Sequence, residues 1–390
     1  MRLHGDPLGF VNLPVPSNGQ LEEILVQVWI QLASEIRSHL EFDGITLQDG
    51  LTGEGTTAQI HCKLYSEHEW LKPQTVVVCT RNRPESLSRC LESLQSIRYD
   101  SYEVIVVDNA PSNDATKVLF DAIVGSNPKF RYLVEPRKGL SAARNCGLAA
   151  ASTEVVTFTD ENVVTDPTWL LGIARGFGGG SGIGCVTGMV LPASLESESE
   201  RYFDRRVSWS SSLQSKTYDL AHKKNESPLF PYNAGKFGTG ANFSVDRKLV
   251  LGLGGFDVAL GAGSRAGGGE DLDMFVRILR SGRMLAYAPS AIVWHCHRVA
   301  PQDLKTQMRS YGVGLGGYLL KQLYDREFRK VLLRRAPRAA FYMMGQWRRG
   351  TGGTLRNTDL MWAELAGIAA GPAAYIRGRS ANRLMSERNI

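Results

Sequence analysis

Cysteine is scarce in this chain and scattered: six residues at positions 62, 79, 90, 146, 185 and 296, with no CxxC pair. That spacing excludes a disulfide or zinc framework of cysteines and fits reduced thiols in a cytosolic chain. No run reaches about 18 uninterrupted apolar residues, so a membrane-spanning helix is not expected. The first ten residues, MRLHGDPLGF, lack the charged-then-apolar pattern of a secretory leader, so secretion is not expected either. No GxxxxGK[ST] is present, because Gly235-Lys236 is followed by Phe237 and lacks the upstream glycine. A dinucleotide fold wants GxGxxG directly after its first strand, and TRNRP stands there instead. An NAD enzyme and a P-loop ATPase are both disfavoured.

The 390 residues, 43% hydrophobic and 22% charged, have ordinary globular composition. Length alone predicts two to three domains at roughly 150 residues each. The net charge of +6 is unevenly spread: residues 301–390 hold sixteen Lys/Arg against six Asp/Glu, and the remainder holds 29 against 33. A neutral-to-acidic body with a basic tail points to an anionic surface met by the tail, and not to a nucleic-acid groove.

Residues 1–72 read as a small N-terminal element. Leu21, Ile24, Leu25, Val28, Trp29, Leu32 and Ile36 recur at helical spacing. A Gly/Thr-rich stretch (Asp49 to Thr57) and a strand near Ile60 follow, and no catalytic motif is found there. Residues 73–320 change character. Four apolar, β-branched runs (Thr75–Cys79, Glu103–Val107, Phe130–Val134, Val155–Phe158) alternate with helical patterns at Pro84–Ser96, Asp114–Val124 and Gly139–Ala150. Such alternation predicts β-α units on a mainly parallel sheet, with ligands collecting at the C-terminal strand ends. The polar tips there are Thr80-Arg81-Asn82-Arg83, Asp108-Asn109, Glu135-Pro136-Arg137-Lys138 and Thr159-Asp160-Glu161-Asn162. Acidic and basic tips on one rim suit a ligand with polar, anionic and metal-coordinating parts, such as a nucleotide diphosphate. Arg137 and Lys138 precede a helix start near Gly139, where free backbone N–H groups favour an anion.

Several ordered motifs run from about Thr75 to about Tyr318: TVVVCTRNRPESLSRCLESL, YEVIVVDNAPSND, PRKGLSAARNCGLAAAS, VVTFTDEN, FGTGANFSVDR, GGFD, GGGEDLDMFVRILRSG and VWHCHR. Taken in this order, the set resembles the family 2 glycosyltransferases with the GT-A fold. The resemblance implies an α/β catalytic domain that moves a sugar from a nucleotide-diphosphate sugar to an acceptor, inverting the anomeric carbon. It implies that Asp108 holds the nucleoside, with Thr80 and Arg81 lining the same pocket. Arg144 and Asn145, in the family's ARN triplet, would face the donor. Asp160-Glu161-Asn162 occupies the metal-binding acidic motif, usually Asp-x-Asp, with Asn162 a departure from it. Mg²⁺ or Mn²⁺ favours such oxygen ligands and would stabilise a departing diphosphate. Of His295 and His297, which alternation places on one strand face, His295 is the expected metal contact. Glu270-Asp271 opens a helix where the family carries its base. Asp271 is expected to deprotonate the acceptor, with Glu270 an acceptor or backbone anchor. Gly240 would wall the sugar pocket.

Residues 321–390 read as a basic amphipathic tail. Residues 326–350 carry eight basic residues and one acidic, interleaved with aromatics, a pattern suited to an anionic membrane surface. Leu360–Ile376, interrupted by Glu364, is short for a span and reads as interfacial. The expectation is a cytoplasmic enzyme, peripheral on the inner face of the plasma membrane, acting on a carbohydrate or lipid-linked acceptor in envelope polysaccharide or glycolipid assembly. The alternatives are a soluble small-molecule acceptor, or a non-catalytic nucleotide-sugar-binding or membrane scaffold.

Overall fold

The β-branched runs become one half of a mixed sheet. The computed structural model describes residues 1–13, 21–45, 50–51, 71–210, 212–222, 229–330, 334 and 357–388. The strand expected near Ile60 and most of the basic 326–350 stretch lie outside the described residues. The chain opens with a hairpin, β1 (Arg2–Leu3) and β2 (Asp6–Pro7), followed by α1 (Leu21–Phe42). Helix α1 is interrupted at Leu32 and buries Val28, Leu32, Ile36 and Leu40.

Next come β3 (Gln74–Thr80), α2 (Pro84–Gln95), β4 (Tyr102–Asn109), α3 (Ala115–Val124), β5 (Phe130–Glu135), α4 (Leu140–Ala150) and β6 (Val155–Asp160). These four strands pair in parallel in the order β5-β4-β3-β6. Each keeps the run expected from sequence and extends it by a residue or two at its ends. Alternation divides the core: Val76, Val78, Val104 and Val106 pack with Leu87, Leu91 and Phe120 on one face. Val77, Ile105 and Val107 pack with Ala143, Leu148 and Phe275 on the other.

The rest of the sheet departs from the parallel expectation. After β7 (Val163–Thr165), α5 (Trp169–Gly178), β8 (Ile183–Pro192), α6 (Glu198–Val207) and β9 (Lys216–Tyr218), strand β10 (Asn242–Asp246) inserts between β6 and β8, antiparallel to both. Helices α7 (Arg247–Gly252) and α8 (Glu270–Arg280) precede β11 (Met284–His295), which is parallel to β8 and antiparallel to β7 and β9. No crossover helix separates β6 from β7, so the chain turns back at Asp160-Glu161-Asn162 instead of continuing the β-α rhythm.

Helix α9 (Pro301–Leu323) then packs against α10 (Asn357–Arg388) through glycines. A Cβ at Gly312 would stand 2.1 Å from the Glu364 carbonyl oxygen, and one at Gly371 would stand 2.5 Å from that of Val313. The Leu360–Ile376 stretch thus turns one face to protein: Leu360 and Tyr375 are buried, and the Glu364 carboxylate accepts from Arg206 at 2.7 Å. This corrects the purely interfacial reading of the stretch, although Trp362 and Ile376 remain exposed on it. Among the described residues no helix is long and apolar enough to cross a membrane.

Candidate active site

A cleft of about 1680 Å³ lies over the C-terminal ends of β3, β4 and β6. Thr80, Arg81, Arg144, Asp160, Glu161, Asn162, Gly240, Glu270, Asp271 and His295 all line it. These residues come from six segments of chain, and the parallel strands with the inserted β10 bring them together.

Arg144 sits at the centre and is 2% exposed. Its Nη1 donates to Glu270 Oε1 at 2.8 Å and its Nη2 to the Gly240 carbonyl at 2.9 Å, with Asp160 Oδ1 at 3.5 Å. The rings of Phe243, Phe256 and Phe158 surround its guanidinium at 5.2, 5.7 and 5.9 Å. Ion pairing plus aromatic faces makes burial of this charge tolerable. The residue is therefore no surface arginine, although its helical position alone permits that.

Glu270 begins α8 and is buried, and that burial raises its carboxyl pKa against the opposing pull of Arg144. Gly269, at φ 87°, lets the chain enter α8 while passing close under α9, where a Cβ would meet the Gly314 oxygen at 2.8 Å. Asp271 is only partly buried, and its Oδ2 accepts the Gly240 N–H at 2.8 Å. Asp160 keeps 29% of its side-chain surface open to the cleft. Even so, loss of solvent pushes its pKa up to about 7, Glu161 and Asp271 raising it further and Arg144 opposing.

Glu161 accepts from Arg83 at 2.7 Å. Asn162 Nδ2 donates to the Cys296 carbonyl at 3.0 Å and meets His295 Nε2 at 3.2 Å, so its carbonyl oxygen is not used in these contacts. Burial, with His297, Arg298 and Arg83 adding to it, drives the His295 pKa down to about 3 and keeps the imidazole neutral. Its Nδ1 lies 2.9 Å from His297 Nδ1, and Trp209 packs edge-on at 5.6 Å.

Four expected residues do not line the cleft. Asp108 is fully buried below the rim, where Tyr132 donates to its Oδ2 at 2.6 Å. Its register partner Thr80 stands on the cleft with Oγ1 buried and without a hydrogen-bond partner among the described residues. Arg137 folds back on Glu135 through two contacts of 2.9 and 2.8 Å, which holds it off the cleft. At the start of α4, near Lys138, two backbone donors are already used: the Gly139 N–H bonds Asn109 Oδ1 and the Leu140 N–H bonds the Ala262 carbonyl, both at 2.8 Å. Asn145 clasps the Phe256 backbone through both amide atoms, at 2.8 and 2.7 Å. Conversely, Arg83, Asn109 and Tyr311 line the cleft: the first two were named from sequence only as members of the polar strand tips, and Tyr311 was given no role there. The first two adjoin expected residues at strand tips. Tyr311 comes from α9, and no motif marks it.

Residues 75–238 match the profile of Glycosyl transferase family 2. The chain is 31% identical over 242 residues to the pre-mycofactocin glycosyltransferase of Mycobacterium tuberculosis, across 61% of this chain and 46% of that one. It is 26% identical over 253 residues to polypeptide N-acetylgalactosaminyltransferase 5 of Caenorhabditis elegans, across 62% of this chain and 40% of that one. The chain thus spans less than half the length of these curated relatives. A solved mannosyltransferase, PcManGT of Pyrobaculum calidifontis in complex with GDP-Man and Mn²⁺, superposes with a TM-score of 0.50 at 18% identity. That match covers 81% of this chain and 80% of the other, and it shows a GT-A fold for this chain.

Proposed function

We propose that this family 2 chain transfers a sugar from a nucleotide-diphosphate sugar to an acceptor hydroxyl, with inversion at the anomeric carbon. The observation that carries the reading is the meeting of Asp160, Arg144, Glu270 and Asp271 around one cavity large enough for donor and acceptor together. Asp271 is the general base. Its Oδ2 is held by the Gly240 amide and its side chain still reaches the cleft, so an acceptor O–H can lose its proton to the carboxylate as the oxygen attacks. Glu270 is committed to Arg144 and acts as a positioning residue. Thr80 and Arg81, at the tip of β3 on the cleft, take the nucleoside. Asp108, through its bond to Tyr132, supports the floor.

The residues at the acidic tip fit a divalent cation. Loss of solvent raises the Asp160 pKa to about 7, with Glu161 and Asp271 adding to it, and a dication beside the carboxylate would favour its charged, ligating form. The spare oxygen of Asn162 would join Asp160 as a ligand to Mg²⁺ or Mn²⁺, and the neutral imidazole of His295 would add a nitrogen once its Nε2 is released from the Asn162 amide. When bound, such an ion would offset the charge developing on the diphosphate leaving group.

The acceptor we favour belongs to cell-envelope polysaccharide or glycolipid assembly at the inner face of the plasma membrane. The basic balance of residues 301–390 and the exposed Trp362 and Ile376 of α10 support that reading. Flotation with anionic liposomes, with and without residues 326–390, tests it, and equal partitioning of the two forms removes the membrane. For the reaction itself, the chain is incubated with a panel of nucleotide sugars and Mn²⁺ while free nucleoside diphosphate is measured. Donor binding by thermal shift without release of any nucleotide would leave a non-catalytic scaffold in place of the transferase.

A further inference from the structure

The N-terminal element carries a second cluster of ligating atoms, remote in sequence from the acidic tip. His4 lies at the turn of the β1–β2 hairpin, and His39 and Asp43 lie four residues apart at the end of α1. His4 Nδ1 is 3.1 Å from His39 Nε2 and 3.1 Å from Asp43 Oδ2, and His39 Nε2 is 3.7 Å from Asp43 Oδ2. The Asp43 side chain is 0% exposed, that of His39 8% and that of His4 20%.

We propose that His4, His39 and Asp43 form a binding site for one Zn²⁺-class transition-metal ion that clamps the hairpin to α1. Three arguments converge. The first is spacing: a tetrahedral ion with bonds of about 2.0–2.1 Å holds neighbouring ligand atoms about 3.3–3.4 Å apart, and the three separations bracket that length. The second is proton count. A single proton on His4 Nδ1 can serve Asp43 or His39 but not both, whereas one cation takes a lone pair from all three atoms. The third is chemistry: two imidazoles and one carboxylate suit a borderline ion such as Zn²⁺ better than Mg²⁺ or Mn²⁺, with water completing the fourth position.

The backbone is arranged to deliver His4. A two-residue turn has His4 at φ 50° and Gly5 at φ 88°, both left-handed, which aims the hairpin tip at α1. The same hairpin grips the catalytic domain, for Asp6 pairs with Arg175 of α5 at 2.7 Å and Arg2 pairs with Asp166. Asp166 follows directly on β7, the strand that leaves the acidic tip. A clamp at His4 therefore fixes the element that braces this segment.

The test uses the untagged full chain, stripped with a chelator, reloaded with Zn²⁺ or Co²⁺ and freed of excess metal by gel filtration. Wild type should retain one equivalent of zinc, melt at a higher temperature when loaded, and with Co²⁺ show the visible bands of a four-coordinate site. Asp160→Asn should retain that equivalent, which separates this site from the sugar-donor cleft. His39→Ala should lose it. His4→Gly should also lose it, and because glycine accepts the left-handed turn, this variant is expected to fold even if His39→Ala does not. A wild-type chain that retains no metal, or a His4→Gly chain that retains a full equivalent, overturns the proposal.

Discussion

Arg144 and Glu270 form a buried ion pair, Nη1 to Oε1 at 2.8 Å, that ties helix α4 to the first residue of α8. Neither partner can be removed without stranding the other in a water-poor site. Arg144→Ala should lower the unfolding free energy by about 3–5 kcal/mol, as loss of one member of a buried pair does. Glu270→Gln should cost less, because burial already shifts that carboxyl toward its neutral form. Urea unfolding at pH 7 compares the two, and equal losses would contradict this ordering.

Asp271 is assigned the proton transfer and Asn can keep its contact with the Gly240 amide. Asp271→Asn should therefore reduce kcat by roughly 10²–10⁴-fold, the range for loss of a general base. Affinity for a nucleoside diphosphate should stay within about twofold of wild type. Near-normal turnover in this variant removes Asp271 as the base.

The acidic tip makes a pH prediction with a definite sign. Asp160 has a pKa near 7 in the folded chain against 3.8 as its ordinary value, so between those pH values the folded form binds the extra proton. The contribution of this group to stability is present below about pH 4 and is lost as pH rises through 7. The difference in unfolding free energy between wild type and Asp160→Asn should follow that course without divalent metal. Metal affinity should rise with pH over the same interval and level off above it. A pH-independent difference would place the Asp160 pKa near its ordinary value.

His295 is tested through the metal requirement. His295→Ala should raise the Mn²⁺ concentration needed for half-maximal activity by roughly tenfold or more, the scale of perturbing a metal's immediate surroundings. An unchanged Mn²⁺ requirement would leave His295 a packing residue against Trp209.

The glycine seam between α9 and α10 predicts the effect of side chains placed in it. Gly371→Val should push α10 away from Val313 and Gly316. Faster trypsin cleavage at Arg377 and Arg379 measures the undocking. Unaltered cleavage would show that the helices can separate locally without losing their contact.

The parallel half of the sheet was legible because β3, β4 and β6 are buried on both faces and so read as near-continuous β-branched runs, while the edge strand β5 is partly exposed. The placement of strand β10 was not, because NFSVD is short and its antiparallel insertion depends on partners 83–91 and 56–60 positions away in the chain, such as Thr157 and Val186. The gathering of Asp160, Glu161, Glu270 and Asp271 on one cleft followed from their motifs. The burial of Arg144 did not, since the three phenylalanines that shelter it lie on separate segments. Arg137 and the start of α4 suggested an anion site from local charge, but Glu135 and Asn109 use those groups internally. His4, His39 and Asp43 carry no motif at all, and a hairpin turn is what unites them.

Strand β10 has a consequence for redesign. It pairs Asn242 with Thr159, so Gly240, which steadies Asp271, and Asp160 are carried on adjacent strand ends of the same ladder. The pairing acts as a fixed ruler between the two chemical halves of the reaction. Swapping the 193–237 segment or the glycine-rich stretch at 261–269 for those of a relative should change which alcohol is accepted while leaving that ruler intact, whereas inserting a single residue between Gly240 and Asn242 should abolish transfer to every acceptor.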